Sequence, residues 1–346
     1  MKKCNLKNDY SEGAHPDILK ALIETNNLIT ETYGNDIFSG EAKKLIKKKI
    51  KNENADIHFV SGGTQANLLV ISSMLKSYQS VIAASTAHVV IHETGAIEAT
   101  GHKINTVETV DGKLTPEHIK NVLKEHKDEH MVMPKSVFIS NSSETGTVYK
   151  KEELKALYSF CKKNNLFLYL DGARLAAALA SSDSDLEPED IAEYTDVFYI
   201  GGTKNGALTG EAIVITEDKL KEDFRYYMKQ KGALLAKSRL TGIQFAEFFK
   251  DDLYFKLGEH ADKAAMKLAS VIKAAGFDFL FPPSSNQIFP IFPDKLIKHL
   301  QKTCDFYVWK KTDENSSAVR LVCSWATTNE TIDMFITSLE DFNETQ

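Results

Sequence analysis

Short apolar segments alternate with segments of helical length through the first two thirds of this 346-residue chain. The strands that this alternation predicts cover residues 56–60, 81–84, 104–107, 137–141, 167–171, 196–200 and 211–215. Strands joined by helical crossovers pair mostly in parallel and are covered by helices on both faces. The sequence therefore predicts an α/β fold built around a mostly parallel sheet of seven strands.

The pattern changes after residue 241. Long segments with helical spacing follow, and two short strands are predicted at residues 287–292 and 318–324. We therefore predict a large domain over residues 1–245 and a smaller C-terminal α/β domain over residues 246–346.

The composition is that of an ordinary globular protein, with 42% hydrophobic and 26% charged residues. A net charge of −6 argues against a nucleic-acid-binding surface. Residues 1–10 are too polar for a secretion signal, and no apolar run has the length of a membrane span. Four cysteines lack the spacing of a zinc site or of a disulfide framework. We therefore expect a cytoplasmic protein with neither a nucleic acid nor a membrane as partner.

Lys204 follows a predicted strand and the glycine pair Gly201-Gly202. A tight turn there places the amine at the edge of the sheet, where partial desolvation lowers its pKa and lets it attack a carbonyl carbon. Asp171 ends another predicted strand, one crossover helix earlier. The two side chains would then meet at the carboxyl ends of neighbouring strands, where open α/β sheets bind ligands.

A lysine and a buried carboxylate in one crevice are what pyridoxal 5′-phosphate (PLP) requires. The lysine forms an imine with the cofactor, and the carboxylate keeps the pyridine nitrogen protonated. Two plainer interpretations stay open, namely Lys204 as a surface residue in a turn and Asp171 as the N-cap of a helix. A PLP site is the hypothesis that explains both residues together.

Further candidate ligands for this cofactor follow other predicted strands. Gly63 and Thr64 lie where a strand passes into a helix, whose free backbone amides can bind a phosphate. His88 could cover the cofactor ring or move protons, although a lone histidine is more often structural. His88 and His92 lack an HExxH arrangement and a third ligand, so we predict no metal site.

Two arginines are candidates for binding an anion. Arg174 closely follows Asp171 and could touch the cofactor phosphate or a substrate carboxylate. Arg320 interrupts an apolar strand, where a guanidinium is expensive to bury unless an anion meets it. A bidentate bond to the carboxylate of an amino acid would meet that need. A solvent-facing strand edge, or an ion pair between the domains, remains the alternative for Arg320.

Several motifs resemble, in the same order along the chain, those of the low-specificity threonine aldolases. This family belongs to the β-eliminating lyase branch of the aspartate-aminotransferase-like PLP enzymes. The motifs are Tyr33-Gly34-Asn35-Asp36, Gly62-Gly63-Thr64-Gln65-Ala66-Asn67, Ala87-His88, Asp171-Gly172-Ala173-Arg174 and Gly201-Gly202-Thr203-Lys204-Asn205. The resemblance runs from about Asn8 to Trp325. It implies the fold of the type I PLP enzymes, an amino acid as substrate, and a homodimer or homotetramer with active sites at the interface between subunits.

The resemblance also implies which residues bind the cofactor and take part in catalysis. Lys204 would be the Schiff-base lysine, Asp171 the partner of the pyridine nitrogen, and His88 the histidine stacked on the ring. Gly63 and Thr64 would bind the phosphate.

On the substrate side, the resemblance implies four further residues. Arg174 and Arg320 would lie near the cofactor and the substrate carboxylate. Asn8 stands where many relatives carry a serine that meets this carboxylate, in an N-terminal segment (residues 1–30) near the active site. Tyr33 would lie near the boundary between two subunits.

Two departures from the family pattern concern substrate preference. Many members carry a histidine in an Asn-Thr-His-Asn stretch, whereas Glu144 occupies that place here. Any proton relay through that histidine therefore does not carry over, and the role of Glu144 stays open. Lys204 also lies in Gly-Thr-Lys-Asn rather than the commoner Ser-Lys-Gly, which is typical of a divergent subgroup.

The expected activity is a PLP-dependent retro-aldol cleavage of L-threonine or L-allo-threonine to glycine and acetaldehyde, through the Cα–Cβ bond. The alternative is β-elimination from serine, cysteine or an aromatic amino acid, which breaks the Cα–H bond instead. A non-catalytic PLP-binding regulator is a third possibility, which the sequence disfavours because no DNA-binding appendage precedes residue 8 or follows residue 330.

Overall fold

The computed structural model describes residues 3–344. The strands are β1 (Cys4–Asn5), β2 (Asp56–Val60), β3 (Gln79–Ala84), β4 (Lys103–Val107), β5 (Met133–Ser140), β6 (Phe167–Asp171), β7 (Val197–Gly201), β8 (Glu211–Ile215), β9 (Gln287–Ile288), β10 (Ile291–Pro293), β11 (Cys304–Asp305), β12 (Tyr307–Lys311) and β13 (Ser316–Val322). The α-helices are α1 (Pro16–Thr25), α2 (Ile37–Lys49), α3 (Gly63–Met74), α4 (His88–Ile91), α5 (Pro116–Glu125), α6 (Lys151–Lys163), α7 (Leu175–Ala180), α8 (Pro188–Glu193), α9 (Phe224–Gln230), α10 (Arg239–Lys250), α11 (Leu253–Ala274), α12 (Asp294–Leu300) and α13 (Asn329–Glu344).

A seven-stranded sheet in the order β2-β8-β7-β6-β5-β3-β4 forms the centre of the molecule. The pairs from β7 through β6, β5 and β3 to β4 are parallel, and β8 is antiparallel to both of its neighbours. The predicted α/β fold with a mostly parallel, seven-stranded sheet is therefore confirmed.

Hydrophobic cores lie on both faces of this sheet, because successive side chains of a strand point to opposite faces. In β7, Phe198 and Ile200 belong to one core, whereas Val197 and Tyr199 belong to the other. All five residues of this strand are buried. Burial on both faces explains why these strands are continuous apolar runs rather than alternating ones. Among the helices within residues 3–344, none combines the length and the apolar character that a bilayer crossing needs.

A second unit contains β9, β10, β12 and β13 with helices α12 and α13. Its separate core includes Leu268 from the second half of α11, whereas Tyr254 and Leu257 from the first half pack in the core of the large sheet. Phe245 and Phe248 of α10 belong to the large-sheet core as well, so the predicted division at residues 245 and 246 falls inside a helix of the first unit. We propose that the change of domain lies within α11.

The N-terminal segment connects the two units. Strand β1 pairs in parallel with β11 of the small unit, and Cys4 forms a disulfide bond with Cys304. The Leu6 backbone N–H donates to Asp305, and the Leu6 carbonyl accepts from Val322. The cysteine spacing gave no indication of this bond, because its two ends are 300 residues apart in the chain. Disulfides are rare in the cytosol, so the bond does not support the expected cytoplasmic location, which stays a prediction.

Loss of this disulfide is expected to lower the free energy of unfolding by about 2–4 kcal/mol, because the bond restricts the unfolded chain. Thermal unfolding of the wild type should therefore occur at a lower temperature with reductant than without it. The double variant C4S/C304S is the control, since reductant should leave its Tm unchanged. Equal Tm values for oxidised and reduced wild type would contradict this prediction.

Candidate active site

A cleft of about 420 Å³ opens between the carboxyl edge of the large sheet and the small unit. It is lined by Tyr10, His88, His92, Glu144, Arg174, Lys204, Tyr307, Val308, Trp309 and Arg320. The segments that follow the parallel strands β3, β5, β6 and β7 contribute to it, which is where open α/β sheets bind ligands. Four residues singled out from the sequence, His88, Arg174, Lys204 and Arg320, meet in this cleft.

Lys204 lies in a single 3₁₀ turn directly after β7. Glycine is required before it, because a Cβ atom at position 201 would lie 2.3 Å from the Ala173 carbonyl oxygen and one at position 202 would lie 2.6 Å from that of Gly210. Burial and the nearby Arg174 guanidinium lower the pKa of the Lys204 amine. Within residues 3–344 no carboxylate lies within ion-pairing distance of this amine, which therefore suits attack on a carbonyl carbon.

Asp171 ends β6, beside the strand that leads to Lys204. Its Oδ1 accepts hydrogen bonds from the Tyr199 hydroxyl at 2.6 Å and from the Ala173 backbone N–H at 2.9 Å. Its Oδ2 accepts from Asn67 Nδ2 at 3.2 Å. These bonds hold a buried carboxylate in one orientation, as the partner of a pyridine nitrogen requires.

A chain of buried hydrogen bonds joins His88 to Asp171. His88 Nδ1 donates to Glu93 Oε1 at 2.8 Å, and Asn67 Nδ2 donates to the same oxygen at 2.7 Å as well as to Asp171. The Tyr169 hydroxyl fixes the Asn67 amide by donating to its Oδ1 at 2.8 Å. Sequence reasoning missed Glu93 and Asn67. Asn67 stood in the glycine-rich motif, but its contact with Asp171 is set by the packing of α3 on β6 rather than by spacing.

Glu93 favours the charged form of the His88 ring. Burial favours the neutral imidazole, but the hydrogen bond that His88 donates to Glu93 and the carboxylates of Glu144 and Asp171 together raise the pKa of His88. A ring held in this way has a fixed orientation and a proton on Nδ1.

The variant E93Q is expected to lower the pKa of His88, because the amide removes a negative charge at 2.8 Å. A raised pKa in the folded state stabilises the fold fully below the unfolded pKa, and this contribution is lost as the pH rises through the folded value. The stability difference between wild type and E93Q should therefore shrink as the pH rises through the pKa of His88. NMR titration of the His88 ring protons measures the shift directly, and an unchanged pKa would contradict the role of Glu93.

The start of α3 is suited to holding a phosphate. Gly62 caps the helix without a side-chain hydrogen bond, so the first backbone amides remain available to a ligand. A Cβ at position 63 would lie 3.0 Å from the Tyr199 hydroxyl, which itself donates to Asp171. Thr64 is exposed beside it. Through Tyr199, the start of α3 therefore lies close to Asp171, the residue expected at the pyridine nitrogen. A phosphate site and a carboxylate in this arrangement fit the two ends of PLP.

Arg174 differs from its expected role in one respect. Its Nε and Nη2 donate to the two carboxylate oxygens of Asp9 at 2.7 and 3.0 Å, and Asn286 also donates to Asp9. The planar fork that could grip an anion is therefore occupied, although Arg174 lines the cleft. Asp9 was missed by the sequence argument, which singled out its neighbour Asn8. The Asn8 Oδ1 instead accepts from the Tyr10 N–H and from Ser11, within the N-terminal segment.

Arg320 is 9% exposed, and its guanidinium lies 5.3 Å from the ring centres of both Tyr307 and Trp309. Burial and Arg174 lower its pKa. Its Nε has no hydrogen bond, and within residues 3–344 no carboxylate lies within 4 Å of it. The predicted alternative of an ion pair between the domains is therefore not formed in the described chain.

Tyr33 lies outside the cleft. Its backbone N–H donates to Ala236, and its ring lies 4.9 Å from the Lys229 amine. Its predicted position near a subunit boundary stays a prediction. Across the described part of the chain, no group of three or more histidine, cysteine, aspartate or glutamate side chains is arranged to hold a metal ion.

Three comparisons with known proteins show which proteins this chain is similar to. A family profile described as "Beta-eliminating lyase" matches residues 14–292. The low specificity L-threonine aldolase of Pseudomonas aeruginosa is 33% identical over 328 residues, which cover 94% of this chain and 93% of the relative. The solved structure of Leishmania major threonine aldolase has a TM-score of 0.96 and 44% identity, covering 98% of this chain and 99% of that one. Thermotoga maritima aspartate aminotransferase, at 16% identity and a TM-score of 0.73, shares the fold.

Proposed function

Since the chain belongs to the β-eliminating lyase family, we propose that it is a PLP-dependent aldolase that cleaves L-threonine and L-allo-threonine to glycine and acetaldehyde. The resemblance seen in the sequence motifs is confirmed, as is the assignment to the PLP-dependent lyases. The observation that carries the proposal is the Lys204 amine, which has a lowered pKa and, among the described residues, no ion-pair partner, beside the fixed carboxylate of Asp171.

When bound, PLP supplies an electron sink for the charge left on the substrate Cα. Lys204 would hold the cofactor covalently, and Asp171 would hold a proton at the ring nitrogen. The amides at the start of α3, including those of Gly63 and Thr64, would bind the phosphate. His88, kept in place by Glu93, would lie against the ring.

The substrate carboxylate would bind to Arg320, with Arg174 Nη1 as a second donor that Asp9 leaves open. A fixed carboxylate limits rotation about the bond between Cα and the amine nitrogen, and this rotation selects the bond that breaks. The alternative is β-elimination from serine, cysteine or an aromatic amino acid, which breaks the Cα–H bond and gives different products.

Product analysis tests the proposed function. The PLP-loaded protein is incubated separately with L-threonine, L-allo-threonine and L-serine. We expect glycine and acetaldehyde in equal amounts from the first two amino acids. Pyruvate and ammonia as the main products would instead establish β-elimination.

The variant R320K is expected to raise the KM for threonine by about 10- to 100-fold, or roughly 1–3 kcal/mol, because lysine lacks the planar fork that binds a carboxylate with two hydrogen bonds. The visible absorption of the bound cofactor and the Tm should be unchanged. Steady-state kinetics at constant PLP measures the effect, and an unaltered KM would remove Arg320 from the substrate site.

We also propose that the chain forms a homodimer or homotetramer. Apolar side chains before and after Tyr33 are largely exposed: Ile23, Leu28, Ile29 and Ile37. Exposed apolar residues concentrated in one region often mark a protein interface. Sedimentation velocity tests this proposal, and a monomer at micromolar concentration would contradict it.

A further inference from the structure

Glu144 is a buried carboxylate without a partner in the described part of the chain. It lies in the segment after β5, is 7% exposed and lines the cleft. Within residues 3–344 its side chain forms neither a hydrogen bond nor an ion pair. Buried charges are normally paired or hydrogen-bonded. A carboxylate that faces a cleft without such a partner indicates that a bound ligand supplies the hydrogen-bond donor.

The backbone on either side of Glu144 is firmly held. Ser143 Oγ is hydrogen-bonded to the hydroxyls of Thr145 and Thr147 at 2.8 and 2.7 Å. Gly146 has a φ of +80°, and a Cβ there would lie 2.6 Å from the Gln287 carbonyl oxygen. The segment is therefore packed against the small unit, while the Glu144 side chain lines the cleft.

The charges around Glu144 favour its ionised form. Burial opposes ionisation, but Arg174, Lys204, His88 and His92 together lower the pKa of the Glu144 carboxyl. Arg320 faces the same cleft, and Asp9 is held by Arg174. Glu144 is consequently a carboxylate at neutral pH, with the capacity to accept a proton from a ligand hydroxyl.

We propose that Glu144 is the base that takes the proton from the β-hydroxyl of the substrate, an inference that rests on the proposed aldolase function. Glu144 accepts the hydroxyl proton while the Cα–Cβ bond breaks. The electron pair of the former O–H bond becomes the second bond of the aldehyde carbonyl. The pair of the Cα–Cβ bond remains on Cα, which later takes up a proton to give glycine.

The two histidines of the cleft are the competing bases. His88 donates its Nδ1 proton to Glu93, which leaves only Nε2 as an acceptor in a ring that would lie against the cofactor. Burial lowers the pKa of His92, which makes His92 neutral and able to accept a proton. A direct test has to separate Glu144 from His92.

The test compares two reactions of the PLP-bound enzyme in the wild type and in E144Q and E144D. Cleavage of threonine requires removal of the β-hydroxyl proton, whereas exchange of a glycine Cα proton with deuterium from the solvent does not. We expect E144Q to cleave threonine about 10²- to 10⁴-fold more slowly, the range for loss of a positioned base. Exchange with glycine should keep its wild-type rate, and E144D, which retains the carboxylate, should lose less cleavage than E144Q.

The outcomes are distinguishable. Equal loss of cleavage and of glycine exchange in E144Q would show a structural role and overturn the proposal. Wild-type cleavage in E144Q would assign the base to His92 or to water, and would overturn it too. If the wild type itself releases no acetaldehyde from threonine, the proposed function fails instead.

A second measurement does not depend on turnover. Glu144 raises the pKa of His92 through its charge, so NMR titration of PLP-bound E144Q should show a lower His92 pKa than in the wild type. An unchanged His92 pKa would mean that Glu144 does not face the cleft as described, and would overturn the proposal.

Discussion

The variant K204A is expected to lose at least about four orders of magnitude in threonine cleavage, the scale seen when a covalent catalytic group is removed. Borohydride treatment of the PLP-loaded wild type should fix the pyridoxyl group to Lys204, and the same treatment of K204A should label no residue. Peptide mapping by mass spectrometry identifies the labelled residue.

K135A is a matched control. Burial also lowers the pKa of Lys135, whose amine donates to the Asn165 carbonyl far from the cleft. Cleavage by K135A should equal that of the wild type. A pyridoxyl label on a lysine other than Lys204 would refute the proposed cofactor site.

The variant D171N is expected to bind PLP but to turn over about two to four orders of magnitude more slowly, since it loses a strong electrostatic contribution. The shape of the side chain is retained, while the negative charge beside the ring nitrogen is lost. Y199F is the matched control, because it removes one hydrogen bond to Asp171 and leaves the charge in place.

Y199F should therefore lose less activity than D171N. Cofactor retention after gel filtration and kcat for threonine measure both variants. A D171N enzyme with near-normal kcat would refute the role of Asp171 as partner of the pyridine nitrogen.

The mostly parallel sheet and the positions of Lys204 and Asp171 at the ends of neighbouring strands could be predicted from the sequence for a simple physical reason. Parallel strands with one crossover helix bring their carboxyl ends to the same edge, so local patterns are enough to place these residues. The glycines before Lys204 are also a local signal, because the backbone of a neighbouring loop leaves no room for a side chain.

Contacts between distant parts of the chain could not be predicted in this way. Asp9 and Arg174 are 165 residues apart, and Asn67 and Asp171 are 104 residues apart. Both pairs depend on how whole elements pack, which no spacing rule encodes.

Arg174 and Arg320 illustrate the difference between local and long-range information. Both were candidates in the sequence for binding the substrate carboxylate, but within residues 3–344 the structure pairs Arg174 with Asp9 and brings no carboxylate to Arg320.

The N-terminal segment limits how the cleft can open. It is bonded to the small unit through Cys4 and Cys304, and to the large unit through the buried pair of Asp9 and Arg174. A hinge rotation of the small unit away from the sheet would have to separate that pair, and breaking a buried ion pair costs about 3–5 kcal/mol. Tyr10, whose ring centre lies 6.0 Å from the Lys204 amine, is half exposed at the same place. Lys204 is itself partly exposed in the cleft, so an amino acid can reach it while the two units remain in their relative positions.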